Sequence, residues 1–63
     1  MGERLLPLTK REEEVYARLV KGLSDKEIAT QVGITTRTVR FHVSNILRKR
    51  EATNRVQLIL WGA

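Results

Sequence analysis

Gly22-Leu23-Ser24-Asp25-Lys26-Glu27-Ile28-Ala29-Thr30-Gln31-Val32-Gly33-Ile34-Thr35-Thr36-Arg37-Thr38-Val39-Arg40 reads as two helices meeting across a tight turn. Ser24 and Glu27 have the spacing of a capping box, in which the hydroxyl accepts from the Glu27 amide and the carboxylate accepts from the Ser24 amide. Ile28, Ala29 and Val32 then share one face, and Gly33 supplies a residue free to take the left-handed conformation that stops a helix. Thr35 or Thr36 can cap the next helix, whose apolar residues Val39, Val43, Ile46 and Leu47 recur at three- and four-residue intervals. That helix is expected to reach about Lys49.

The segments on either side continue the pattern. Thr9-Lys10-Arg11-Glu12 is a second capping box, and from Lys10 to Lys21 the residues Val15, Tyr16, Leu19 and Val20 form one stripe that ends at Gly22. Thr53 or Asn54 can start a last helix over Arg55 to Trp61, where Val56, Leu58, Ile59, Leu60 and Trp61 are apolar nearly all round. No segment alternates with a period of two. The expected fold class is all-α, a four-helix bundle in which helices 2 and 3 form a helix-turn-helix. Pro7 divides a lead-in segment, residues 1–7, from a domain over residues 8–63.

Composition narrows the function. The 63 residues allow one domain with a thin core, and 41% hydrophobic with 30% charged residues suits a folded chain rather than a disordered tail. Twelve Lys and Arg against seven Asp and Glu leave a net charge of +5, which favours a polyanion through counterion release. With no Cys there is no disulfide framework and no thiolate metal site. His42 is the only histidine and has no second ligand type near it in sequence, so neither a metal nor a cofactor is expected. No acid–base pair, nucleophile with its base, or glycine-rich phosphate loop is present, so the chain is not expected to be an enzyme. The apolar run Leu58-Ile59-Leu60-Trp61 is far short of the about 20 residues of a membrane span. A cytoplasmic product, or a fragment of one, is the expectation.

Helix 3 is the expected working surface, because its polar residues avoid the apolar stripe. In a helix-turn-helix the first helix crosses the DNA backbone while the second enters the major groove. Arg40 can pair with guanine O6 and N7, Phe41 can touch a thymine methyl, and Ser44 can donate or accept without dictating a base. Thr36, Arg37 and Thr38 lie at the positive end of the helix and suit phosphate oxygens, with Lys26, Arg48 and Lys49 as further backbone contacts. Ala29 is small enough to let helices 2 and 3 approach closely.

Leu8-Thr9-Lys10-Arg11-Glu12, Gly22 to Ala29, Thr38 to Lys49 and Asn54-Arg55 together resemble the LuxR-type helix-turn-helix domain, related to GerE, FixJ and NarL. The resemblance runs over residues 8–62. It implies a four-helix DNA-binding module of a bacterial-type transcription regulator that binds double-stranded DNA as a homodimer. Base-edge contacts around Arg40, Phe41 and Ser44 are implied as well. The last helix is implied to supply the dimer contact, here Val56, Ile59, Leu60 and Ala63, and RNA polymerase is a further expected partner.

Two departures from the family pattern carry expectations of their own. Arg50 and Glu51 stand where the family has an apolar residue and then glycine, so helix 3 is free to run on toward Thr53 or to alter the angle of helix 4. Leu58 and Gly62 occupy positions usually held by small core-facing residues, and Leu58 is expected to pack inward. Rival readings are a promoter reader like region 4 of a sigma factor, and a helical protein-interaction module working through helix 4.

Overall fold

The computed structural model describes residues 6–62, with side chains given for 6–61. Within them lie four helices: α1 (Lys10–Leu19), α2 (Asp25–Val32), α3 (Thr36–Lys49) and α4 (Arg55–Gly62). No strand occurs among the described residues, so the class is all-α, as the periodicity requires.

Each start is set by local hydrogen bonding. At α1, Thr9 Oγ1 accepts from the Glu12 amide at 3.1 Å and Glu12 Oε1 accepts from the Thr9 amide at 2.9 Å. At α2, Ser24 and Glu27 repeat this reciprocal pair at 3.2 and 2.8 Å. Thr35, rather than Thr36, caps α3 by accepting from the Thr38 amide at 3.1 Å. Asn54 Oδ1 accepts from the Gln57 amide at 3.1 Å at the start of α4, while Gln57 Oε1 reaches back to the Thr53 amide at 2.8 Å.

The stop of α1 is where the sequence expectation needs correcting. Helix α1 ends at Leu19, two residues before Lys21, because the chain closes on itself at Gly22 (φ 87°): Gly22 N–H donates to the Leu19 carbonyl and Leu23 N–H to the Arg18 carbonyl. Gly33 (φ 82°) ends α2, with the Ile34 amide donating to the Ala29 carbonyl at 3.0 Å. Helix α3 does not run on. It stops at Lys49, and Glu51 takes the left-handed conformation, φ 55°, that the missing glycine would have taken. Glu51 N–H donates to the Arg48 carbonyl at 3.2 Å and Ala52 N–H to the Leu47 carbonyl at 2.9 Å, the paired bonds of a Schellman closure.

A non-glycine residue at positive φ costs about 1–2 kcal/mol. What outweighs that cost is the return of the chain: Ala52 packs against the core and Leu58 is fully buried in it. Burying a leucine contributes about 1.5–3 kcal/mol. Continuing α3 as helix would carry both side chains away from the core.

That core consists of Val15 and Leu19 from α1, Ile28 and Ala29 from α2, Val39, Val43 and Ile46 from α3, and Leu58 from α4. Helix α3 packs on both α1 and α2 and touches α4, so it is the common support. Arg18 ties α1 to α2 through Gln31 Oε1 at 3.0 Å, and the Tyr16 hydroxyl donates to the Leu58 carbonyl at 3.3 Å, which fixes α4 against α1.

Among the described residues the buried charge is Glu12. Its Oε1 lies 2.7 Å from Lys49 Nζ, joining the start of α1 to the end of α3. Burial opposes the charged form of Glu12, but the hydrogen bonds from Lys49 and the Thr9 amide, with the nearby charges of Lys49 and His42, outweigh it and hold the carboxyl below the usual glutamate range. A carboxyl depressed on folding contributes stability above its unfolded pKa, and that contribution is lost as pH falls through the folded one.

Two stability measurements follow. Glu51→Gly is expected to stabilise the fold by about 1 kcal/mol, a rise of about 4–8 °C in melting temperature for a domain of this size; an unchanged or lowered Tm contradicts the strain at Glu51. Glu12→Gln is expected to cost about 1–3 kcal/mol at pH 7. The gap between Glu12→Gln and the unsubstituted chain is then expected to close in acid melts, below the usual glutamate range, whereas a gap independent of pH contradicts the ion pair's role.

Candidate nucleic-acid interface

With Val39, Val43 and Ile46 turned into the core, the helical repeat of 3.6 residues leaves the other side of α3 facing out. Arg37, Arg40, Phe41, Ser44 and Arg48 are all exposed, Arg40 with 74% of its side chain accessible and Phe41 at 62%. Thr36 and Thr38 are half-buried at the first turn, where the Thr38 hydroxyl shares a 2.9 Å hydrogen bond with that of Thr35. The three residues expected at base edges thus lie on one outward strip, within about one turn of each other.

The charge on this strip is unopposed within its own helix. Helix α3 carries Arg37, Arg40, Arg48 and Lys49 and no carboxylate, so its outward side is a basic surface beside the positive end of the helix dipole. Lys26 is exposed on α2, the helix packed alongside. Phe41 interrupts the charge with an apolar ring that stacks on no core residue; its ring centre is 5.8 Å from that of His42.

Lys49 differs from the rest of the expected set. Its side chain is only 15% exposed, and the ammonium is taken up by Glu12 and by the Pro7 carbonyl at 3.4 Å. It closes the fold and does not share the outward strip. Arg50, which stands beside it in place of an apolar residue, donates to the Leu6 carbonyl at 2.8 Å. The two side chains together hold Leu6 and Pro7 against the end of α3.

Helix α4 presents a second, apolar surface. With Leu58 inward, about 100° of rotation per residue puts Val56 and Leu60 on the opposite side. Both are exposed, at 61% and 67%. Ile59 is half-buried and packs against the core, so it flanks this surface, and Ala63 lies outside the described residues. Trp61 is exposed too. Sequence reading left Trp61 out of this face, and the rotation agrees: three residues beyond Leu58, Trp61 falls about 60° from it, so its exposure comes from its place in the last turn of α4.

A family model described as bacterial regulatory proteins, luxR family, matches residues 6–62 of the chain. The chain belongs to the luxR family of bacterial regulatory proteins. Among similar proteins is the response regulator protein VraR of Staphylococcus aureus (strain Mu3 / ATCC 700698), 46% identical over 55 residues, which are 87% of this chain and 26% of that protein. The proteins of the same name from Staphylococcus saprophyticus and Staphylococcus epidermidis match to the same extent. The chain therefore spans about a quarter of the length of these relatives. Membership in the luxR family makes this a LuxR-type helix-turn-helix DNA-binding domain, with α2 and α3 as its paired helices. In this luxR-family domain Glu51 does what a glycine would do at the end of α3. No helix among the described residues is long and apolar enough to cross a membrane.

Proposed function

We propose that this domain reads double-stranded DNA in a sequence-specific way through the outward strip of α3, set in the major groove. The observation that carries this reading is the exposed row Arg37, Arg40, Phe41, Ser44 and Arg48 on a helix with no carboxylate of its own. Arg40 supplies the bidentate fork for guanine O6 and N7, Phe41 meets a thymine methyl, and Ser44 adds a short adaptable contact. Lys26, Thr36, Arg37, Thr38 and Arg48 hold phosphates and set the register of the helix in the groove. Lys49 acts at one remove, by fixing the end of α3 against α1.

Two copies associate through the apolar side of α4, around Val56 and Leu60 with Ile59 at its border, and read half-sites about one helical turn apart. The similarity to response regulators supports a role in transcription within the cytoplasm, with RNA polymerase as a further partner. A helix-based interaction module would use the patch on α4 and would need no basic strip on α3. The reading as a DNA reader accounts for both surfaces.

Binding measured by fluorescence anisotropy against salt tests the assignment of roles. Arg40→Ala is expected to weaken binding to the preferred duplex by about 1–3 kcal/mol and to flatten preference at one base pair, while Lys26→Ala weakens all duplexes alike and lowers the salt slope by about one. Equal affinity for all duplexes in the unsubstituted protein would refute sequence reading. For the dimer, Leu60→Glu is expected to leave the fold intact, since Leu60 is exposed, and to lower binding to two-half-site duplexes but not to a single half-site. Unchanged two-site binding would remove α4 as the dimer contact.

A further inference from the structure

The carboxylate of Asp25, the first residue of α2, lies between two arginines from different helices. On one side Arg55 Nη1, from α4, is 2.6 Å from Oδ1; on the other Arg40 Nε, from α3, is 3.7 Å from Oδ2. Arg55 is anchored a second time, donating through Nη2 to the Leu23 carbonyl at 3.4 Å. The Arg55 arm is a structural tie of low exposure that fixes the position of Asp25. The Arg40 arm is different, because Arg40 is three-quarters exposed and belongs to the outward strip of α3.

A negative charge beside the basic strip reduces attraction to any polyanion. Its effect on reading is geometric. The carboxylate approaches Arg40 at Nε, and a contact there leaves the two terminal nitrogens as the fork for guanine O6 and N7. A long side chain that would otherwise sample many rotamers is restrained before DNA arrives, and restraint before binding lowers the ordering cost of the contact.

We propose that Asp25 is a positioning residue for sequence reading: it steadies Arg40 from the Nε side, raising selectivity for the base pair that Arg40 meets while lowering attraction to DNA in general, and Arg55 holds it in place from α4. This rests on the reading of Arg40 as a base contact. It also gives the helix that carries the dimer patch a physical connection, through one carboxylate, to the helix that reads.

The test uses the full chain and three duplexes: one selected from a random pool by the unsubstituted protein, the same duplex with the base pair sensed by Arg40 replaced, and a mixed-sequence control. Asp25→Asn is expected to bind the mixed-sequence duplex as tightly or more tightly, and to lose discrimination at that base pair by roughly fivefold or more. Adding it to Arg40→Ala should flatten preference no further. A purely structural role would instead weaken all three duplexes together and leave discrimination intact, which would overturn the proposal. If Arg40→Ala itself leaves preference unchanged, the base-contact reading fails and takes the proposal with it; if Arg40→Ala flattens preference and Asp25→Asn does not, the proposal alone fails. Should Asp25→Asn not fold, ¹⁵N relaxation of arginine Nε–Hε groups in the unsubstituted chain decides: Arg40 is expected to be more ordered than exposed Arg37, and equal mobility of the two overturns the proposal.

Discussion

Burial of one stripe of α3 is the constraint from which the rest of the molecule follows. Val39 and Ile46 are fully enclosed and Val43 nearly so, between α1 and α2 on one side and Leu58 of α4 on another. In a domain of this size few apolar side chains are available, so none of these positions can be given up without losing a large share of the core. Once that stripe faces inward, the 3.6-residue repeat leaves Arg40, Phe41 and Ser44 facing solvent. The working surface is therefore a geometric consequence of the packing, which is why the same short helix can serve as both keystone and reader.

Charge is distributed in keeping with this division. The cations of α3 stand without carboxylates in their own helix, whereas three carboxylates of α1 and α2 serve as ties: Glu12 to Lys49, Glu14 to Arg11, Asp25 to Arg55 and Arg40. These ties differ in weight. The Arg11–Glu14 pair is exposed and contributes about 0–1 kcal/mol, while Glu12 and Lys49 are shielded from water, and loss of either partner would strand the other. Through Glu12 the start of α1 is locked to the end of α3, close to where the chain must turn back into α4.

The sequence was most informative where structure is decided locally. Both capping boxes, the turn at Gly33 and the inward stripe of α3 rest on residues three or four apart, and they appear in the fold as the spacing predicts. What pattern reading missed depends on residues far apart in the chain. Lys49 looks like any other basic residue at a helix end until α1 brings Glu12, 37 positions away, against it. Glu51 carries no stop signal, yet it takes the left-handed turn after α3 ends at Lys49, because burial of Ala52 and Leu58 outweighs the cost of a left-handed glutamate. The triangle of Asp25, Arg40 and Arg55 joins three helices, so no spacing rule exposes it.

The central claim is that the solvent side of α3, and not the apolar side of α4, meets DNA. The most direct measurement is an NMR titration of the isotope-labelled chain with its selected duplex, following backbone and side-chain signals residue by residue. The account predicts that the largest shifts fall on Arg37, Arg40, Phe41, Ser44 and Arg48, with Val15, Leu19 and Leu58 nearly still. Shifts concentrated on Val56, Leu60 and Trp61, with the α3 strip unmoved, would contradict it.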